Sequence, residues 1–88
     1  MGGVADLFEI GTGIASLMGV VVPERATVAG QCIKDIAIPS ECVVAAVIRG
    51  KKFVVPRGNT EIHEGDEVVF VGPTSAISKA HEHFLLTK

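Results

Sequence analysis

The chain has 88 residues, 8 Lys+Arg against 10 Asp+Glu, a formal net charge of −2 and 48% hydrophobic residues. That length supports one small domain burying about 60–65% of the surface its unfolded chain exposes, which excludes a two-lobed enzyme with an interdomain cleft. The apolar fraction excludes intrinsic disorder, and mild acidity with no Trp or Tyr argues against a nucleic-acid module.

From Val4 to Met18 the apolar positions Val4, Leu7, Phe8, Ile10, Ile14, Leu17 and Met18 recur at mixed spacings of three and four. This spacing suggests an amphipathic N-terminal helix, interrupted by Gly11 and Gly13 at about 1 kcal/mol each. Residues 1–18 are therefore expected to be a helical linker or dimerisation segment, and residues 19–88 the domain proper. Residues 10–22 carry no charge, but a membrane span needs about 20 apolar residues, so none is expected here.

Val20, Val21 and Val22 form a β-branched run before Pro23 and read as a first strand. Residues 31–36 suit a single helical turn. Residues 42–48 form a strong strand, paired with residues 52–55 as a hairpin around Gly50-Lys51. Pro56 cannot donate to a ladder and belongs at a strand end or edge. Residues 59–62 suit a short strand, and Glu64-Gly65-Asp66 the turn into a strand over 67–71. After Gly72-Pro73, Thr74 or Ser75 is the expected N-cap of a closing helix reaching about residue 86, with Ile77, Ala80, Phe84 and Leu85 on one face. Strands segregated from one packing helix indicate an α+β domain.

Several motifs invite chemistry. Gly11-Thr12-Gly13-Ile14-Ala15-Ser16 approaches the dinucleotide fingerprint, but too little chain separates it from the valine strand to hold a crossover helix. His81 and His83 stand two positions apart, about 200° around a helix, and cannot chelate one ion from one face. Cys32 and Cys42 fit neither a disulfide framework nor a zinc spacing and read as small apolar side chains of a reducing cytosol. Ser40 and Ser75 lie in no nucleophile elbow. No catalytic constellation is visible, and no enzyme is expected.

The remaining cluster is basic: Arg49, Lys51 and Lys52 around the hairpin, with Arg57 beyond Pro56. Guanidinium forks there suit a phosphate or carboxylate ligand. The competing reading is a solvated turn, or ion pairs with Glu61, Glu64 and Asp66.

Taken in order, VVVPERATVAG with Gly30, the turn CIKDIAIP, the run VVAAVIRGKKFVVPRGNTEIHEGDEVVFVG and a helix ending in Phe84-Leu85 resemble the TrkA-C domain, the C-terminal lobe of RCK (regulator of potassium conductance) domains. The resemblance covers roughly residues 20–86. It implies a small, partly open β-barrel-like sheet closed by the C-terminal helix, usually dimeric. It also implies a non-enzymatic regulatory module on the cytoplasmic face of a potassium channel, uptake system or cation antiporter. Some members of the family bind cyclic di-AMP at the dimer cleft through the turn equivalent to residues 33–38, where an Asp-hydrophobic-Arg pattern occurs. Here the pattern reads Asp35-Ile36-Ala37.

The expected ligand site is therefore Ile33, Asp35, Ile36, Arg49, Lys52 and Arg57, with a small anionic or nucleotide-type effector and no resident cofactor. The expected partners are a second copy and a membrane transporter or channel subunit. The alternative is a purely structural dimerisation module with no effector.

Overall fold

A computed structural model describes residues 7–88. Its elements are β1 (Leu7–Ile10), β2 (Ala15–Val21), a 3₁₀ turn (Ile33–Asp35), β3 (Val43–Arg49), β4 (Lys52–Val54), β5 (Glu67–Gly72) and α1 (Thr74–Phe84). The five strands form one open antiparallel sheet in the order β1-β2-β5-β3-β4. With a single C-terminal helix laid on it, this is the α+β class the sequence indicates.

The N-terminal segment departs from expectation. Where a helix was expected over residues 4–18, the described part is a β-hairpin of β1 and β2, pairing Leu7 with Met18 and Ile10 with Ala15. Residues 4–6 lie outside the described residues. The physical reason is the connection: Gly11, Thr12 and Gly13 all have φ between 54° and 92°, a conformation no α-helix contains and glycine accepts at little steric cost. The same turn occupies the dinucleotide lookalike. β2 runs through the expected boundary between residues 18 and 19, so both sides share one sheet.

The rest follows the sequence more closely. β3 and β4 form the expected hairpin, with Arg49 opposite Lys52 and Gly50 in the left-handed region. β3 bears a register shift between Val44 and Ala46 where it pairs with β5. Residues 59–62 make no full strand. A single bridge joins Cys32 to Glu61, with Ile62 N donating to Gln31 O at 2.9 Å and Ile33 N to Thr60 O at 2.9 Å.

The N-cap of α1 is Pro73 and makes no side-chain cap bond, in place of the expected Thr74 or Ser75. The Thr74 hydroxyl is engaged instead with the buried Ser16 hydroxyl at 2.7 Å. The helix stops at Phe84, and the tail folds back to pair beside Ala26, with Thr27 N donating to Leu86 O at 2.9 Å.

The core lies between α1 and the face of the sheet carrying Val20, Val47, Val68 and Phe70, all with no exposed surface. From α1, Ala76, Ile77, Ala80 and Phe84 are buried, which places the helical spacing read from the sequence on the core side; Leu85 is half-buried at its margin. The rings of Phe70 and Phe84 meet edge to face at 5.0 Å and 79°, the arrangement that aromatic quadrupoles favour. The long connections before β3 and β5 complete the core with Val28, Ile36 and Ile62.

Candidate functional site

Two corners of the molecule carry the basic residues singled out above, and they are built differently. At the first, the 63–66 turn presents a carboxylate inward. Asp66 is fully buried, and its own backbone is pinned by Val22 N donating to Asp66 O at 2.8 Å and Gly65 N donating to Val22 O at 2.8 Å. Arg49, at the end of β3, reaches it with both arms of its fork: Nε donates to Oδ1 and Nη2 to Oδ2, each at 2.9 Å. His63 N donates to Oδ2 at 2.9 Å, and Arg49 Nη2 also donates to Glu61 O at 2.8 Å.

Burial by itself would push the Asp66 carboxyl up. The bonds from Arg49 and the His63 N–H outweigh it and hold the group below the usual carboxylate range. The same hydrogen bond raises the Arg49 guanidinium above its ordinary value. This corner is a closed ion pair.

The second corner is a groove of about 350 Å³ between the 3₁₀ turn and the segment after β4. Ile33, Ile36, Ile38 and Pro39 line one side, Val43 and Val44 the floor, and Pro56, Arg57 and Gly58 the opposite lip. Backbone bonds hold the two sides together: Lys34 N donates to Gly58 O at 2.9 Å, and Thr60 accepts from Ile33 as described. Thr60 Oγ1 in turn donates to Val55 O at 2.7 Å and accepts from Arg57 N at 2.9 Å, which fixes the backbone of the arginine. Among the described residues, the Arg57 guanidinium makes no hydrogen bond or ion pair, so its fork is turned to solvent at the mouth of an apolar groove.

The groove thus gathers Ile33, Ile36 and Arg57 from the expected ligand set. Asp35 belongs to the same turn but does not line the groove, and Lys52 sits at the exposed end of the β3–β4 hairpin. Arg49 is committed to Asp66. The sequence reading missed the floor and near wall, Ile38, Pro39, Val43 and Val44. The available signal was Val43: a large β-branched residue opening a strand, which the structure leaves 61% exposed.

Gly72 positions that floor. A side chain there would bring Cβ within 2.7 Å of Cys42 Cβ and 2.8 Å of Glu41 O, so only glycine lets the end of β5 approach the start of β3 this closely. Cys42, another groove-lining residue, is buried, and its thiol is pushed up first by burial and then by the neighbouring Glu41 charge. A thiol so placed is protonated and unreactive at neutral pH.

The family model of the TrkA-C domain matches residues 17–85. The Trk system potassium uptake protein TrkA of Mycobacterium tuberculosis is 28% identical over 76 residues, covering 86% of this chain and 34% of that protein. A TrkA homolog of Archaeoglobus fulgidus is 30% identical over 64 residues, 73% of this chain and 15% of that one. The chain therefore spans about a third or less of the length of these curated relatives.

Among solved structures, the GsuK RCK domain superposes over 99% of this chain and 19% of its own, with a TM-score of 0.77 at 16% identity. An RCK domain with cda superposes over 76% of this chain and 94% of its own, with a TM-score of 0.69 at 15% identity. Both share this fold.

Proposed function

The chain belongs to the TrkA-C domain family, and from that premise we propose that it is a regulatory domain of a potassium transport system that senses a small anionic or nucleotide-type effector. The observation that carries the ligand-sensing part is the groove, with Arg57 unpaired among the described residues at its lip and Ile33 and Ile36 on its wall. An apolar wall accepts a flat ring, and a planar guanidinium fork accepts a phosphate or carboxylate in two parallel bonds. The similarity to an RCK domain structure with cda supports the same reading.

In this reading the domain is not an enzyme. It acts at the cytoplasmic face of the membrane beside a transporter or channel subunit, and among the described residues no helix is long and apolar enough to cross a membrane itself. It pairs with a second copy. The effector regulates by binding one arrangement of the paired domains more tightly than another, because a ligand shifts an equilibrium only by its differential affinity.

The test is a dye-based thermal shift, an extrinsic dye being needed because the chain has no Trp or Tyr. Cyclic di-AMP, other cyclic dinucleotides, adenine nucleotides and simple salts form the panel. A ligand at about 100 times its dissociation constant adds roughly 2.7 kcal/mol and raises Tm by many degrees in a domain of this size. The expected result is a saturable shift with one anionic ligand that Arg57→Ala abolishes. A flat panel contradicts the effector and leaves a structural pairing module.

A further inference from the structure

The groove between the 3₁₀ turn and the segment after β4 has a chemically lopsided lining. Of its eleven residues, eight carry apolar side chains and Gly58 carries none. Two of the eight are prolines, which have no N–H to offer. Among the described residues, the polar side chains that line it are the Ser40 hydroxyl and the Arg57 fork.

We propose that the groove selects a small carboxylate with a compact apolar body, a branched chain or a single ring, over a nucleotide. The inference rests on the effector reading above and names the ligand class within it.

Size comes first. A volume of about 350 Å³ lies at the small end of ligand pockets. At about 30 Å³ for each water-sized group it holds roughly a dozen non-hydrogen atoms, against about 22 in one adenine nucleotide or in half of a cyclic dinucleotide.

Polarity comes second. A base edge and ribose hydroxyls need hydrogen-bond partners, and the lining holds no side-chain amide and no aromatic face. Backbone donors at the groove are already spent: Lys34 N on Gly58 O, Cys42 N on Pro39 O and Arg57 N on Thr60 Oγ1. Each base atom buried there without a partner costs about tenfold in affinity. A hydrocarbon body leaves nothing unpaired.

Charge comes third. The planar fork of Arg57 matches the two oxygens of one carboxylate. Glu41 stands in sequence between the lining residues Ser40 and Cys42, and its charge is felt at the Cys42 thiol. Lys34 and Asp35 are neighbours on the turn, outside the lining, with opposite charges. The groove thus favours one negative charge and opposes the second charge of a phosphate monoester.

Amide-resolved NMR titrations of the whole chain test this with sodium acetate, butanoate, hexanoate and 4-methylpentanoate, beside hexanamide, AMP and cyclic di-AMP. The expected result is affinity rising about fourfold per methylene beyond acetate until the groove is filled. AMP and cyclic di-AMP should bind at least about tenfold more weakly than hexanoate, the scale of one unpaired base atom.

Arg57→Gln should weaken hexanoate by about tenfold or more, the scale of a charge-assisted bond, and leave hexanamide unchanged. Val43→Thr changes a side chain that is 61% exposed and so spares the fold. It should weaken 4-methylpentanoate about fourfold, the scale of one buried methyl group, with acetate unaffected. Equal binding of acetate and hexanoate, or a nucleotide held more tightly than hexanoate at the groove amides, overturns the ligand class and leaves the effector reading standing. Groove amides that respond to no member of the series overturn both.

Discussion

The Arg49 corner and the Arg57 groove are built from the same residue type, eight positions apart along one hairpin and its exit, yet they hold opposite states. Arg49 has spent its fork on a fully buried carboxylate and a backbone carbonyl. Arg57 has its backbone fixed and, among the described residues, its guanidinium unspent. The difference teaches that a cation becomes a binding group only when the fold leaves its partner out. What decides the matter is whether a turn such as Glu64-Gly65-Asp66 delivers a carboxylate within reach.

The comparison is broken most directly at Arg49. Arg49→Ala leaves Asp66 buried without its cation, a change costing about 3–5 kcal/mol in a fully enclosed pair. The Arg49 side chain is 35% exposed, so solvent screening lowers the expectation to about 2–3 kcal/mol, read by denaturant unfolding. A loss below about 0.5 kcal/mol would mean that the corner is held by backbone alone.

Gly72→Ala comes next. The added Cβ meets Cys42 and the Glu41 carbonyl at under 3 Å, so β5 and the start of β3 must separate. The expected cost is about 2 kcal/mol in overpacking, together with weakened effector binding because the groove floor moves. Full stability in this variant would show that the two strands adjust freely.

The acid limb sharpens the contrast. The Asp66 carboxyl is held below its unfolded value of about 3.9, so its contribution is complete above that pH and is lost as pH falls through the folded value. Asp66→Asn should be less stable than the unsubstituted chain at pH 7, by about 1–2 kcal/mol. The gap should narrow as pH falls from 4 toward 2. A constant gap across that range would detach the carboxylate charge from stability.

The smallest effect on the fold is expected at the groove. Arg57→Ala should change unfolding free energy by less than about 0.5 kcal/mol, as for a surface substitution without a partner, while removing the effector-induced rise in Tm. A variant destabilised like Arg49→Ala would erase the distinction between the corners.

How far the sequence carried these conclusions differs by segment. The strands over 43–49, 52–54 and 67–72 and the closing helix were legible because β-branched runs, Gly-Pro punctuation and the helical spacing of Ile77, Ala80 and Phe84 all point one way. The N-terminal hairpin was misread. All four residues of β1 are exposed, so no in-out alternation marks it, and chance spacings of three and four imitate a helix. Gly11 and Gly13 signalled a turn more strongly than that spacing signalled a helix.

Arg49 was flagged together with its eventual partner Asp66, but the choice between ligand and ion pair needed the turn brought against β3. The groove was half legible. Ile33, Ile36 and Arg57 were named from the sequence, whereas its two sides face each other only because residues 33–34 bond to residues 58–60, across a chain separation no local pattern records.

The central claim is that the free arginine, not the paired one, receives the ligand. An amide-resolved NMR titration of the ¹⁵N-labelled chain with the anion that scores in the thermal panel tests it. The account predicts saturable shifts at Ile33, Ile36, Val43, Arg57 and Gly58, with Gly65 and Asp66 unmoved. Shifts centred on Arg49 and Asp66, with the groove silent, would contradict it.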